Sequence, residues 1–97
     1  MAGAYDDRDG VIWMDGKLVD WRDAKVHILT HGLHYGSSVF EGERAYNGKI
    51  FKSREHSERL LKSGEYMDIP IPYTVDEIEA AKAEVLAASG LQDAYVR

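Results

Sequence analysis

Residues 31–46 read HGLHYGSSVFEGERAY, and the rest of the chain is organised around this stretch. Three glycines, Gly32, Gly36 and Gly42, and two serines stand among two histidines, two tyrosines, a phenylalanine, two glutamates and an arginine. Glycine lets backbone approach backbone or ligand closely and admits φ values that other residues avoid. The polar and aromatic side chains between the glycines are spaced to line a site. The segment is expected to be a loop that turns into a strand from Ser38.

Outward from it, the elements follow from local chemistry. Upstream, VIWM and KLVDW flank Asp15-Gly16, a two-residue loop suited to a type I′ hairpin because both positions tolerate φ > 0. DAKVHILT, residues 23–30, holds a short β-prone piece. Downstream, Asn47-Gly48 separates SVFEGERAY from KIF and predicts a second hairpin, with Gly42 relieving crowding or marking a bulge. Ser53 is placed to cap a helix through REHSERLLKSGEYM. On a 3.6-residue period Leu60, Met67 and His56 share one face of it, while Glu55, Arg59, Lys62 and Tyr66 share another, which sets Arg59 beside the buried face. Pro70 and Pro72 end that helix. Thr74 and Glu77 form a capping box that opens a second helix through Ser89. Val75, Ile78, Ala81, Val85 and Ala88 point inward and Gly90 is the stop. DAYVR begins a returning strand.

This order, β-hairpins followed by two helices and a returning strand, is an α+β arrangement. It occupies residues 11–97 as one small domain behind a flexible lead-in at residues 1–10. A final strand that stops at Arg97 is too short to complete a sheet, so the chain is expected to be the front part of a larger protein.

Composition narrows the function. The chain has 97 residues, 44% apolar and 30% charged, with a net charge of −5 and no cysteine. Such a balance with scattered Lys and Arg argues against nucleic acid or an anionic membrane as a partner. It leaves room for a small acidic or zwitterionic ligand at a local arginine. Without cysteine there is no disulfide framework or thiolate metal site. No apolar run approaches a membrane span, and the acidic N-terminus does not read as a signal peptide, so the expected compartment is the cytoplasm.

Several residues could carry chemistry. His27, His31 and His34 cross a β-to-loop transition without converging as zinc ligands must, so they are expected to be hydrogen-bonded loop residues and no metal site is expected. Arg59 is either a solvated arginine paired with Glu55 or an anion anchor, since a guanidinium forks onto a phosphate with two parallel hydrogen bonds. Tyr35 and Phe40 are either core aromatics or, with Gly42 making room, walls of a pocket for an aliphatic side chain. Glu41 and Arg44, three apart along a strand, should face opposite ways and not pair. Tyr95 and Arg97 alternate and share a face, as a carboxylate-binding pair or a surface pairing.

The run HGLHYGSSVFEGERAY, preceded by WRDAKVHILT and followed by SREHSERLLKS, resembles the N-terminal part of the branched-chain amino acid aminotransferases. These are class IV, pyridoxal-phosphate-dependent enzymes of the D-amino acid aminotransferase-like fold, and the likeness runs from about Trp13 to Arg97. It implies transfer of an amino group between leucine, isoleucine or valine and 2-oxoglutarate through pyridoxal 5′-phosphate. Through the matched motif RE-H-x-x-R-L it implies that Arg59 holds the cofactor phosphate. It further implies that Tyr35 reaches the site of a neighbouring subunit in a homodimer or higher even oligomer. Phe40 and Gly42 would line the substrate pocket, and Tyr95 and Arg97 would meet substrate carboxylates. Arg44 is grouped with these substrate-binding candidates.

Glu43 stands where the family commonly carries an aliphatic residue, which would put an extra charge near the pocket mouth. The family's covalent lysine and its acidic partner lie in a larger C-terminal domain. None of Lys17, Lys25, Lys49, Lys52, Lys62 or Lys82 stands in that context, so no catalytic residue is expected here and the chain alone should be inactive. The alternatives are a D-amino acid aminotransferase or aminodeoxychorismate lyase of the same fold, or a non-catalytic binding module.

Overall fold

A computed structural model describes residues 4–97. A hairpin of β1 (Val11–Met14) and β2 (Lys17–Asp20) opens the fold, paired from Val11↔Asp20 to Met14↔Lys17. Asp15 and Gly16 turn it with φ of 51° and 95°, as the Asp-Gly loop predicts. After a single 3-10 turn at Trp21–Asp23 come α1 (His31–Tyr35), β3 (Glu43–Tyr46) and β4 (Lys49–Ile50). Asn47-Gly48 makes the second hairpin with φ of 51° and 77°. Then α2 (Ser53–Tyr66), α3 (Val75–Ser89) and β5 (Ala94–Val96) follow. β5 pairs antiparallel with β3, so β3 is the centre of a sheet ordered β4-β3-β5. α3 packs on α2 and on β1, and just before α3 Tyr73 meets Trp13 of β1 edge-on at 5.1 Å. The α+β expectation holds.

Local hydrogen bonding explains where the elements differ from expectation. The β-prone piece at residues 23–30 forms no strand. Lys25 N–H donates to the Asp23 carbonyl, and His27 engages Leu29 and Thr30 through its ring nitrogen and carbonyl. Such side-chain and turn bonds compete with a ladder. The glycine-rich loop contains the short helix α1, closed by Gly36 at φ 68°. The strand expected from Ser38 begins only at Glu43, because the ladder with β5 starts at Glu43↔Val96.

Ser53 does not cap α2. The N-cap is Lys52, in the left-handed region at φ 53°, and the Ser53 hydroxyl donates instead to Glu79. The buried positions of α2 are Ser57 and Gly64, and Met67 is exposed. Small residues win that face because the backbone comes so near: a Cβ on Gly64 would lie 2.7 Å from the Ile69 carbonyl oxygen. The Thr74–Glu77 capping box is complete in both directions, and Gly90 ends α3 at φ 71°. Val75, Ile78, Ala81 and Val85 are half-buried while Ala88 is exposed.

Of the lead-in at residues 1–10, residues 1–3 lie outside the described part. Beyond them Asp7 and Asp9 both accept from Arg22. Among the described residues, no helix is long and apolar enough to cross a membrane.

Candidate functional site

Residues 40–45 present two faces of one backbone. Glu41, Glu43 and Ala45 turn towards the helices, Glu43 and Ala45 being buried, while Phe40 and Arg44 are exposed on the other side. Alternation along extended chain accounts for this division.

On the outer face the candidates assemble. β3 and β5 set Arg44 opposite Tyr95. The Tyr95 ring lies over Gly42: a Cβ there would stand 3.1 Å and 3.2 Å from two ring carbons and overlap the phenol oxygen. Gly42 is therefore a position of close approach rather than a bulge within the ladder. The Arg97 guanidinium sits 4.6 Å from the centre of the Phe40 ring, a cation–π contact. Phe40, Gly42, Arg44, Tyr95 and Arg97 thus form one group, with Phe40 64% and Tyr95 58% exposed. An exposed Phe40 is not a core aromatic of this chain. Arg44 and Glu41 face apart, as their spacing requires.

On the inner face Glu41 reaches α2. Arg59 donates to it from Nε and Nη2, each at 2.7 Å, and His56 Nδ1 lies 2.7 Å from the same carboxylate. An ionised carboxylate only accepts, so Nδ1 carries the proton, and its 3.4 Å approach to Arg59 Nη2 is not a bond between donors. The bidentate guanidinium holds the Glu41 carboxyl down from its ordinary 4.5 to about 2, against burial, which raises it, and with help from His56. Arg59 is paired with Glu41 and not with Glu55, which meets Lys52 at 3.8 Å. A guanidinium has five N–H donors. The Nε–Nη2 edge of Arg59 is committed to Glu41, which leaves Nη1 and the second Nη2 hydrogen of a side chain that is 67% exposed. Those donors have the fork geometry and charge to take a phosphate.

Tyr35 makes its ring contacts with His31 and His34 of its own helix. It is 74% exposed on α1, its ring 4.5 Å from that of His31. The three loop histidines are engaged individually: His27 accepts from Leu29 N–H, His34 meets the Ile28 carbonyl and His31 stacks on Tyr35.

Glu43 is not at a pocket mouth. It is 5% exposed and accepts from Lys82 at 2.6 Å, because its odd position along the strand turns it inward. Sequence reasoning missed this partner and missed Glu41 and His56 as the residues that hold Arg59. The available signal was parity: Glu41 and Glu43 share a face, so two acidic residues aimed at the helices required cations there.

Residues 38–97 match the family model for amino-transferase class IV. A probable branched-chain-amino-acid aminotransferase of Rickettsia felis is 54% identical over 86 residues, which are 89% of this chain and 30% of that protein. The solved branched-chain amino acid aminotransferase from Escherichia coli aligns at 40% identity and a TM-score of 0.86 over 91% of this chain and 31% of that one. The T.th. enzyme of the same name, solved with pyridoxamine 5′-phosphate, does so at 40% and 0.86, over 91% and 30%. The chain spans about 30% of the length of the curated relatives it matches.

Proposed function

The chain belongs to the class IV aminotransferase family, and from that premise we propose that the protein it comes from is a branched-chain-amino-acid aminotransferase. Its substrates are leucine, isoleucine or valine with 2-oxoglutarate, and its cofactor is pyridoxal 5′-phosphate. The observation that carries this is the Arg59 guanidinium, gripped on one edge by Glu41 and open on the other. A guanidinium fixed in this way loses less freedom on taking a phosphate than a mobile one would. The donor set fits the cofactor's doubly charged tail, and in this reading Arg59 binds and orients it while Glu41 and His56 hold Arg59.

When bound, pyridoxal phosphate supplies the electron sink that makes amino-group transfer feasible. The remaining residues orient substrate. Phe40 and Gly42, the latter by admitting the Tyr95 ring against the backbone, shape the pocket for the aliphatic side chain, and Tyr95, Arg97 and Arg44 meet carboxylates. Tyr35, exposed on α1, serves the site of a second subunit, which makes the enzyme a homodimer or higher even oligomer in the cytoplasm. No residue of this chain is assigned to covalent catalysis. Lys82, for one, is 10% exposed and bonded to Glu43 and Ser53.

The test is an assay of the full-length protein with leucine and 2-oxoglutarate, following glutamate. Glutamate formation is expected. A preference for D-alanine, or an absence of transamination with cofactor bound, overturns the assignment.

A further inference from the structure

The most buried charged residue among those described, Glu43, lies outside the site just described. The Lys82 ammonium, on α3, donates to Glu43 at 2.6 Å, to the Ser53 carbonyl at 2.9 Å and towards Glu79 at 3.3 Å. Glu79 in turn accepts from Ser57, itself fully buried, at 2.6 Å and from Ser53 at 2.8 Å. Two carboxylates share one ammonium, and two serine hydroxyls supply the donors that the surplus negative charge needs. Despite burial, which opposes it, the hydrogen bonds from Ser57 and Ser53 together with Lys82 keep the Glu79 carboxyl below its ordinary value. Polar groups buried this deeply are costly unless each is satisfied. An apolar core could have joined the same elements.

What the network joins is informative. Glu43 lies two residues beyond Glu41 on the same face of the same backbone. Ser53 and Ser57 lie on the first turns of α2, with His56 and Arg59 alongside. We infer that Lys82 is a positioning residue for Arg59: through Glu43 it holds the strand that carries Glu41, and through Ser53 it holds the start of the helix that carries the guanidinium. One buried ammonium reaches both Glu43 and the Ser53 carbonyl only while strand and helix keep one offset, and a slip would leave buried charge unpaired, so the network holds that offset. The Arg59–Glu41 fork, with both bonds at 2.7 Å, needs that offset.

The inference rests on the reading of Arg59 as the cofactor's phosphate anchor, and the experiment separates the two. Pyridoxal phosphate is titrated by absorbance into the full-length protein and its variants, and thermal unfolding of the cofactor-free forms is recorded beside it. R59A is expected to weaken cofactor binding most. K82M is expected to weaken it roughly tenfold, the size of one charge-assisted hydrogen bond lost, and to lower the unfolding temperature. E43I/K82M removes the Glu43–Lys82 pair together, leaving Glu79, 28% exposed, on the hydroxyls of Ser53 and Ser57, and is expected to recover most of the unfolding temperature while cofactor binding stays weak. Recovery of both in the double variant makes the pair merely structural and overturns the inference, as does wild-type affinity in K82M. Should K82M fail to fold, the double variant decides alone. Wild-type affinity in R59A overturns the parent reading and this one with it. A weakened R59A beside an unaffected K82M overturns this one only.

Discussion

Glu41 and Gly42 are neighbours in sequence with opposite assignments, one holding Arg59 on the helix side and the other leaving room beneath Tyr95 on the outer side. Each makes a prediction at the scale of one residue. In G42A the new methyl overlaps the Tyr95 phenol, and the ring, exposed and free to swing at its far end, must move aside at a cost of about 1 kcal/mol or less. The expected outcome is a lower unfolding temperature and, in the full enzyme, a raised KM for the branched substrate. An unchanged KM would separate Gly42 from the pocket. For Glu41 the folded carboxyl titrates at about 2 against an ordinary 4.5. A group lowered on folding contributes stability that is full above its unfolded value and is lost as pH falls through the folded one. Wild-type protein should therefore lose stability between about pH 4.5 and 2 more steeply than E41Q, as acid titration followed by circular dichroism will show.

At the scale of elements, α2 departs most from its helical pattern. A period of 3.6 selects Leu60 and Met67, but the buried stripe runs through Ser57 and Gly64. Gly64 is where this matters. Glycine to alanine within a helix ordinarily stabilises by about 1 kcal/mol. Here the added Cβ meets the Ile69 carbonyl at 2.7 Å and the Ile71 side chain at 3.0 Å. The sign therefore reverses, and G64A should destabilise by about 1–3 kcal/mol in chemical denaturation. A stabilised G64A would mean that residues 69–71 do not pack on α2 as described. The helix start teaches the same lesson: Ser53 has a capping residue's chemistry, yet its hydroxyl is taken by Glu79 from α3.

The whole molecule exposes apolar surface that a free-standing domain of its size would bury. Val26, Ile28, Leu29 and Leu33 are between 60% and 74% exposed along one segment that runs into α1. A patch of this kind marks a surface made for contact. The 97-residue chain on its own is expected to self-associate as concentration rises, read by size-exclusion chromatography. A monomer at every concentration would contradict that. Much of the fold was legible beforehand because it is encoded within a few residues. Asp15-Gly16 and Asn47-Gly48 demand φ > 0, Thr74 and Glu77 cap each other across one turn, and Gly90 accepts the left-handed stop. The sequence by itself also put forward the candidates: spacing left Phe40, Gly42, Tyr95 and Arg97 open between plain core or surface roles and a pocket, and the resemblance to the family, with the setting of Arg59, pointed to the pocket. Only the tertiary structure decided that Arg59 belongs to Glu41 and not Glu55, and that Glu43 is buried against Lys82. Those partners stand 18 and 39 residues apart, so no local period specifies them. They are chosen by which faces the packing of helices on strands brings together, and by the high cost of burying a charge without its counterpart.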